Sequence, residues 1–317
     1  MGTGGIGARH AANILKIQPD AELIGVRETP TETTSQLGMK LVPDLEAGID
    51  ERPDLAVVAL PPVLHGIVAS SLLAERIPVY LEKPPAAKVS DLESAAHQAE
   101  TDGTITMTGF VLRRMKGFQK LRALIDDGAL GEALHARLSV GQWLPDWRPD
   151  RDYRDTYSAQ RALGGGVLLD LIHEIDLARF LFGEFDTVRA EAHKSGALEV
   201  DTEDTADILL CRKGFTVNVH LDYLDRAYHR EGRIILSRGT LLYDVTADHL
   251  AERHADSSQW QELAEPDAFT TSRALMDAMV HFLASVERNT PCDQPISDGL
   301  RSLALAEMAR SAASLSV

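Results

Sequence analysis

The 317-residue sequence has little cysteine and no long apolar run. Its two cysteines, Cys211 and Cys292, stand far apart, so we predict neither a disulfide framework nor a metal site. An apolar run of about 18 residues and a secretory leader are also missing, which argues against a membrane-spanning or exported chain. We therefore expect a cytoplasmic protein.

Positive charge and aromatic residues are scarce as well. The formal net charge is −16 at pH 7, and only 5% of the residues are aromatic. Because nucleic acids and anionic membranes are bound by basic patches, we predict neither as a partner. With 44% hydrophobic residues the chain can bury the cores of about two domains. A small molecule is the expected partner.

Glycines near the amino end form the first motif. Gly2, Gly4 and Gly7 fit G-x-G-x-x-G, in which glycines allow a tight turn and helix amides reach a pyrophosphate. A predicted strand over residues 21–26 follows, and an acidic residue after it can accept hydrogen bonds from a ribose. The cofactor-site candidates here are Gly2, Thr3, Gly4, Gly5, Ile6, Gly7, Arg27 and Glu28. Glu28 favours NAD, whereas Arg27 could hold the 2′-phosphate of NADP.

This motif normally follows a strand, and here only Met1 precedes Gly2. Either the natural chain begins upstream of Met1, or the sheet lacks the strand that lies at its centre. A missing central strand would leave the backbone groups of its two neighbours unpaired. We therefore expect the natural chain to begin upstream.

Short apolar strands then alternate with helical segments. The predicted strands are residues 55–60, 79–81 and 104–110, and the predicted helices are residues 63–75 and 90–100. This alternation predicts a doubly wound parallel sheet, which binds ligands at the carboxyl ends of its strands. The cofactor-site candidates at those ends are Pro61, Pro62, His65, Glu82 and Lys83.

The segment from Gly164 to Gly183 opens with three glycines. It predicts one buried helix, since its apolar residues would lie on nearly all sides of the helix axis. Asp170, His173 and Glu174 share a wedge of about 100° on that helix. Because buried carboxylates and imidazoles need partners, their convergence predicts a functional site. A core helix with satisfied polar groups is the alternative.

The stretch over residues 142–161 is rich in aromatic rings, hydroxyls and arginines, a composition that suits a polyol or sugar. Its candidate substrate-binding residues are Trp147, Arg154, Tyr157 and Arg161. A surface loop with incidental aromatic residues is the alternative.

In this order the motifs resemble the glucose-fructose oxidoreductase and inositol dehydrogenase family, often written Gfo/Idh/MocA. The likeness covers nearly the whole chain. It rests on the early glycines with His10, Pro61-Pro62 with His65, Glu82-Lys83-Pro84, Gly109-Phe110 followed by Arg113-Arg114, and the segment from Gly164 to Gly183.

The resemblance implies an α/β fold. A Rossmann domain over residues 1–115 would bind NAD or NADP, and an α+β domain over residues 116–317 would carry an open, mostly antiparallel sheet and form the homo-oligomer, a dimer or tetramer. From the sequence pattern its strands are residues 133–142, 187–193, 205–210, 215–221, 232–237 and 240–244. Two final helices, residues 272–288 and 298–314, would pack back on the first domain.

The resemblance also implies a chemistry in which hydride passes between a carbinol carbon and nicotinamide. If the roles known in the family are carried over by position, Lys83 would polarise the substrate oxygen and His173 would be the general base. Asp170 would orient substrate or imidazole. Arg114 joins the substrate-binding candidates. Most members place the aspartate four residues before the histidine, whereas here the spacing is three, which keeps both on one helix face but changes their angle.

We thus predict an NAD(P)-dependent oxidoreductase acting on a secondary hydroxyl or ketone of a sugar, nucleotide sugar or cyclic polyol. Two alternatives stay open. Some relatives hold NAD tightly and hydrolyse a glycoside by transient oxidation, and a few are NAD-binding regulators without turnover. Lys83 and His173 argue against a regulator, which needs neither a base nor a cation that handles protons.

Overall fold

The computed structural model describes residues 4–27 and 37–313. The chain divides into two compact units, which we call unit 1 (residues 1–111 and 272–303) and unit 2 (residues 112–271 and 304–317). Unit 1 contains short parallel strands with helices, and unit 2 contains one large, mostly antiparallel sheet. The predicted fold class is confirmed, and the boundary predicted after residue 115 stays a prediction.

The elements of unit 1 begin with the helix that follows the glycine motif. In chain order they are α1 (Gly5–Ile17), β1 (Ile24–Val26), β2 (Lys40–Val42), α2 (Leu45–Asp50), β3 (Ala56–Val58), α3 (Pro62–Ala74), β4 (Val79–Leu81), α4 (Glu93–Asp102) and β5 (Thr106–Thr108). Proline at the start of α3 costs no hydrogen bond, since the first amides of a helix have no partner within it. The sequence prediction missed β2 and α2, although the Asp44 side chain caps α2 by accepting from the Ala47 amide at 2.8 Å.

The strands of unit 1 are parallel, as predicted, but among the described residues they form two sheets. One pairs β1 with β2, and the other has the order β3-β4-β5. The central strand β4 is wholly buried, because Val79, Tyr80 and Leu81 are each 0% exposed. The predicted doubly wound sheet is thus interrupted between β1 and β3.

Unit 2 is built on an eight-stranded sheet. Its elements are α5 (Lys116–Asp127), β6 (Ala133–Gly141), α6 (Val167–Asp170), α7 (His173–Phe182), β7 (Thr187–His193), β8 (Thr205–Arg212), β9 (Phe215–Asp222), β10 (His229–Leu236), β11 (Gly239–Asp244), β12 (His249–His254) and β13 (Gln261–Glu262). Two long helices follow, α8 (Thr271–Arg288) and α9 (Ile296–Ala312), and α9 contributes residues to both units. No helix in the described ranges is long and apolar enough to cross a bilayer.

The sheet of unit 2 has the order β13-β12-β11-β10-β6-β9-β8-β7. Neighbouring strands are antiparallel except for β6 and β9, which are parallel. Side chains alternate across it: in β9, Val217 and Val219 are buried, whereas Asn218 and His220 are partly exposed. One face is therefore core, and the other is an outward face of mixed polarity.

On that outward face, His220 lies between two carboxylates. Its Nδ1 is 2.9 Å from Asp207 Oδ1, and its Nε2 is 3.2 Å from Asp222 Oδ2. The hydrogen bond with Asp222, joined by that with Asp207, raises the pKa of His220 from 6.5 to about 9, although burial opposes the change. The charged imidazole therefore ties β8 to the end of β9.

This arrangement predicts a pH-dependent stability. Because the folded pKa of His220 lies above its unfolded value, its contribution is complete below pH 6.5 and is lost as pH rises through about 9. The loss in urea midpoint between pH 6 and pH 9.5 should therefore be smaller in His220→Gln than in the parent protein. His193→Gln, on the exposed end of β7, is the matched control and should lose as much as the parent. An equal loss in His220→Gln would contradict the assignment.

Candidate functional site

The predicted ligand-binding edge of unit 1 is formed by the carboxyl ends of three neighbouring strands. The Glu82 amide, just after β4, donates to the Val58 carbonyl at 2.9 Å. The Gly109 amide, just after β5, donates to the Leu81 carbonyl at 2.7 Å. Because β3 leads to Pro61-Pro62 and β4 leads to Lys83, the structure brings these predicted residues to one edge of the sheet.

Glu82 at this edge is braced by helix α1. His10 of α1 is 0% exposed, and its Nε2 is 2.6 Å from Glu82 Oε1. The Lys83 amide donates to the other carboxylate oxygen at 3.2 Å. Burial alone would raise the pKa of Glu82, but the His10 hydrogen bond and the nearby positive charges lower it below its usual value. The ionised Glu82 thus fixes the glycine-led helix against the end of β4.

His65 connects two turns at this edge through hydrogen bonds of its imidazole ring. Its Nδ1 is 2.7 Å from the Pro84 carbonyl, and the Leu60 amide donates to its Nε2 at 3.3 Å. Burial lowers the pKa of His65, so the ring is neutral and carries its proton on Nδ1. The imidazole therefore connects the turn before Pro61 to the Lys83-Pro84 turn, whose peptide bond is cis.

The start of α1 fits a phosphate group. Gly4 is the extended N-cap, and a Cβ built at Gly4 or Gly5 would meet nothing within 4 Å. Helix amides that have no intrahelical partner can therefore face an anion there. Arg27 follows β1 and is exposed. The predictions for Gly2, Thr3 and Glu28 lie outside the described residues.

In unit 2, Asp170 lies at the end of α6 and is buried, with 1% of its surface exposed. The Tyr157 hydroxyl donates to its Oδ1 at 2.6 Å, and Ser158 and Tyr223 donate to its Oδ2 at 2.6 and 3.2 Å. We call these three residues the hydroxyl cage. Burial, and then the charge of Asp170, raise the pKa of Tyr157 and Tyr223 far above the usual value, so both phenols stay protonated as donors.

The three glycines before α6 make this cage possible. A Cβ at Gly165 would overlap the carbonyls of Tyr157 and Ser158, and Gly166 has a φ of +101° that other residues rarely adopt. The Gly166 amide donates to the Ser158 carbonyl at 3.2 Å. The glycines therefore let the segment with two cage residues lie directly on the entry to the helix.

The prediction of one continuous helix over this segment is wrong. Asp170 ends α6, and His173 begins α7 and is partly buried, with a break at residues 171–172. Glu174, which is 0% exposed, binds Arg230 Nε on β10 at 2.6 Å. Asp170 and Glu174 therefore have different partners, and one helix does not present all three polar residues. Apolar periodicity could not reveal the break, since both pieces are buried on nearly all sides.

The predicted substrate-binding residues divide into two groups. Tyr157 belongs to the hydroxyl cage, and the Trp147 ring packs edge-on to Tyr223 with centroids 5.3 Å apart. Arg154 instead pairs with Asp152 at 2.5 Å and with Glu199 at 3.2 Å.

Two further candidates lie on turns. The Arg161 amide and Nε bind Asp201 at 2.6 and 3.2 Å. Arg114 ends a 3-10 turn and is partly buried. Of the five substrate candidates, two therefore lie at the hydroxyl cage of unit 2: Tyr157 is one of its members, and Trp147 packs against its Tyr223.

Sequence reasoning missed Ser158 and Tyr223. Ser158 directly follows the predicted Tyr157, and Tyr223 comes one residue after β9, where the alternating pattern of that strand ends. Neither position carries a signal that distinguishes it from other hydroxyl residues. In the part of the chain that the structure describes, no group of three or more His, Cys, Asp or Glu residues is arranged to hold a metal ion.

Comparison with known families gives two matches along the chain. Residues 1–110 match a family model described as an oxidoreductase family with an NAD-binding Rossmann fold. Residues 118–242 match the GFO/IDH/MocA C-terminal domain. Both predicted domains therefore have a counterpart in one family.

Two curated relatives illustrate the likeness. Inositol 2-dehydrogenase 2 of Mycolicibacterium vanbaalenii is 30% identical over 196 residues, which cover 58% of this chain and 52% of that protein. The 2,7-anhydro-N-acetylneuraminate hydratase of Mediterraneibacter gnavus is 28% identical over 188 residues, covering 58% and 48%. The matches thus span about half the length of these relatives.

Among solved structures, levoglucosan dehydrogenase in complex with NADH and levoglucosan superposes with a TM-score of 0.85. The superposition covers 98% of this chain and 95% of that one at 18% identity. At this identity the likeness establishes the shared fold.

The hydroxyl cage predicts a measurable stability. Ser158→Ala removes one donor from a buried carboxylate, so the free energy of unfolding should fall by about 2 kcal/mol in urea denaturation. Ser311→Ala is a matched control, since that exposed hydroxyl donates to the Glu307 carbonyl of its own helix, and it should change stability by less than about 0.5 kcal/mol. Equal effects of the two substitutions would show that Asp170 does not depend on the cage.

Proposed function

Because this chain belongs to the GFO/IDH/MocA family of oxidoreductases, we propose that it is an NAD-dependent dehydrogenase. It moves a hydride between nicotinamide and a secondary hydroxyl or ketone of a sugar, nucleotide sugar or cyclic polyol. The observation that carries the proposal is the edge of the NAD-binding unit, where buried Glu82 and His65 hold the turn with Lys83. A lysine in a turn that is held at the carboxyl end of parallel strands supports the proposal, since the ligands of such sheets bind at that edge.

Unit 1 has features that fit a dinucleotide. The exposed glycines at the start of α1 leave room for a pyrophosphate, and the bond from His10 to Glu82 holds that helix in place. The cofactor, when bound, supplies the carbon that accepts or donates hydride. We propose NAD over NADP from the prediction at Glu28, with Arg27 as the residue that would favour NADP.

Lys83 and His173 are the proposed catalytic residues. The Lys83 ammonium stabilises the negative charge that develops on the substrate oxygen, and the His173 imidazole takes or returns the hydroxyl proton. Asp170 is better described as a positioning residue, because the hydroxyl cage binds both of its carboxylate oxygens. Its buried carboxylate fixes the end of α6, three residues before His173 begins α7.

The names of the similar proteins support a cyclic polyol or a sugar as substrate. One relative is named for inositol, and the superposed structure contains levoglucosan. Tyr157 of the hydroxyl cage and Trp147, which packs against Tyr223 of the cage, are the preferred candidates for substrate contact. Arg114 is a third candidate. Arg154 and Arg161 are weaker candidates, since the carboxylates of Asp152 and Glu199 pair with the Arg154 guanidinium, and Arg161 Nε donates to the main-chain carbonyl of Asp201.

A second candidate is a reaction without net oxidation. The hydratase among the relatives favours it, since a hydratase changes no overall oxidation state. A chain of this kind would use NAD only transiently, as in the predicted glycosidase alternative. Substrate conversion with tightly held NAD and no net change in absorbance at 340 nm would identify it.

We also propose that the protein is a cytoplasmic homo-oligomer, a dimer or tetramer. The outward face of the eight-stranded sheet supports assembly: Ile235 is 39% exposed on it, and Leu209 is partly exposed. Free Cys211 and Cys292 suit a reducing compartment.

Substitution of the two catalytic residues tests the proposal. Lys83→Met should retain NAD binding but lower the single-turnover rate of nicotinamide reduction by about 100-fold or more, the effect of losing one electrostatic donor. His173→Ala should lose about 100-fold to 10,000-fold. Since both act on one proton transfer, the double variant should be little worse than the poorer single variant.

The matched controls are Lys88→Met and His97→Ala, both exposed in unit 1, which should react at the parental rate. A near-normal rate per folded molecule in Lys83→Met would overturn the mechanism. Lost stability with a preserved rate would assign Lys83 a purely structural role.

A further inference from the structure

An arginine of unit 2 lies directly beside the hydroxyl cage. Arg148 follows the 3-10 turn Leu144–Trp147, and its guanidinium carbon is 5.6 Å from the centre of the Tyr157 ring. The Arg148 side chain also forms a hydrogen bond with the Tyr157 hydroxyl. Because a guanidinium only donates, the Tyr157 oxygen accepts from Arg148 and gives its own proton to Asp170. One phenol therefore connects Arg148 to the cage.

The charge of Arg148 has no acidic partner in the part of the chain that the structure describes. Asp146 and Asp150 flank it two positions away on each side, but both are exposed and neither forms an ion pair with it. The sequence has 48 acidic residues and 32 basic ones, so acidic partners are plentiful. A partly buried guanidinium that pairs with none of them indicates a position that an anion from outside can occupy.

The other described arginines between residues 142 and 161 are used differently. Two carboxylates pair with Arg154 at 2.5 and 3.2 Å. Arg161 Nε donates to a main-chain carbonyl at 3.2 Å. Arg151 is exposed, and its amide donates to the Arg148 carbonyl at 3.0 Å. Within this stretch, Arg148 is the arginine that combines partial burial, a contact with the cage and a charge without an acidic partner.

The residues that position Arg148 are themselves held in place. The preceding Trp147 ring packs edge-on to Tyr223 of the cage, and Tyr157 donates to Asp170 at 2.6 Å. Arg148 and Tyr157 are partly exposed, whereas Asp170 is 1% exposed. A ligand that approaches the cage therefore meets the guanidinium and the phenol, and the Asp170 carboxylate lies beneath them.

We propose that Arg148 binds an anionic group of the substrate, which is then an acidic sugar or polyol with a carboxylate or a phosphate ester. This inference rests on the proposed function, which makes the hydroxyl cage part of the substrate site. A guanidinium has five N–H groups, and the bond to Tyr157 leaves others for a ligand. Its planar fork matches two oxygens of a carboxylate or phosphate.

Two other roles fit the geometry less well. A neutral substrate hydroxyl could accept one hydrogen bond from Arg148, but it would leave the positive charge without a counter-charge. A purely structural role, in which Arg148 only holds the Tyr157 ring, uses the face of the guanidinium and one donor. An anionic group satisfies both the charge and the remaining donors.

Matched pairs of ligands test the inference by binding alone. Isothermal titration calorimetry of the full chain, saturated with NAD, would compare D-glucuronate with its neutral methyl ester and myo-inositol 1-phosphate with myo-inositol. In at least one pair the acidic member should bind about tenfold or more tightly than its neutral match, because it adds charge-assisted hydrogen bonds. The pair that responds identifies the anion as a carboxylate or a phosphate.

Variants locate that preference. Arg148→Met should weaken binding of the acidic member by about 10-fold to 100-fold and leave its neutral match within about twofold. Arg151→Met, at the exposed arginine three residues further on, is the matched control and should change neither affinity. Arg148→Lys keeps the charge but loses the fork, so it should recover part of the affinity. If Arg148→Met does not fold, the loss of preference in Arg148→Lys decides.

Equal affinities within both pairs would overturn the proposal. An equal loss for acidic and neutral ligands in Arg148→Met would also overturn it, since that result assigns Arg148 a structural role at Tyr157. An equal effect of Arg151→Met would show that general surface charge attracts the ligand.

Failure of this inference and failure of the proposed function give different results. An acidic ligand that binds through Arg148 but forms no NADH supports the anion site and counts against the dehydrogenase. Oxidation of a neutral ligand at the parental rate in Arg148→Met, with equal affinities within each pair, overturns the anion site and supports the dehydrogenase.

Discussion

A carboxylate removed from water must be paired, and this constraint organises both units. In unit 1, Glu82 lies at the end of β4 and binds His10 of α1. In unit 2, three hydroxyls bind Asp170, Arg230 binds Glu174, and Arg113 binds Asp176 through two bonds of 2.6 and 2.8 Å. The bonds of Glu82, Glu174 and Asp176, and that of Tyr223 to Asp170, connect segments that lie 53 to 72 residues apart in the sequence. The buried charges therefore define where helices meet strands, and two of them directly neighbour the proposed catalytic residues in the chain.

The sequence alone predicts the part of the site that depends on local pattern. Strand, turn and helix follow each other in a regular order, and parallel strands place their ends at one edge. For that reason the sequence pattern is sufficient to assign Pro61, His65 and Lys83 to one edge. The alternation of β9 likewise predicts a half-buried sheet strand, because a period of two needs only neighbouring residues.

The parts that sequence reasoning missed depend on contacts between distant segments. Tyr223 joins Asp170 only because β9 ends beside the glycine entry of α6. A helical wheel puts Glu174 in the same wedge as Asp170, but its charge is paired with Arg230. The break at residues 171–172 does not change the pattern of apolar residues, because one buried helix and two shorter buried helices are both apolar on nearly all sides.

The central claim, hydride transfer between a cyclic polyol or sugar and NAD, is most directly tested by isotope transfer. Panels of inositols and anhydrosugars carrying deuterium on the carbinol carbons would be incubated with the protein and NAD, and the reduced nucleotide analysed by mass spectrometry. Our account predicts NADH that carries one deuterium from one member of the panel. Turnover in which the deuterium appears in water or stays on the product, with no labelled NADH formed, would contradict it.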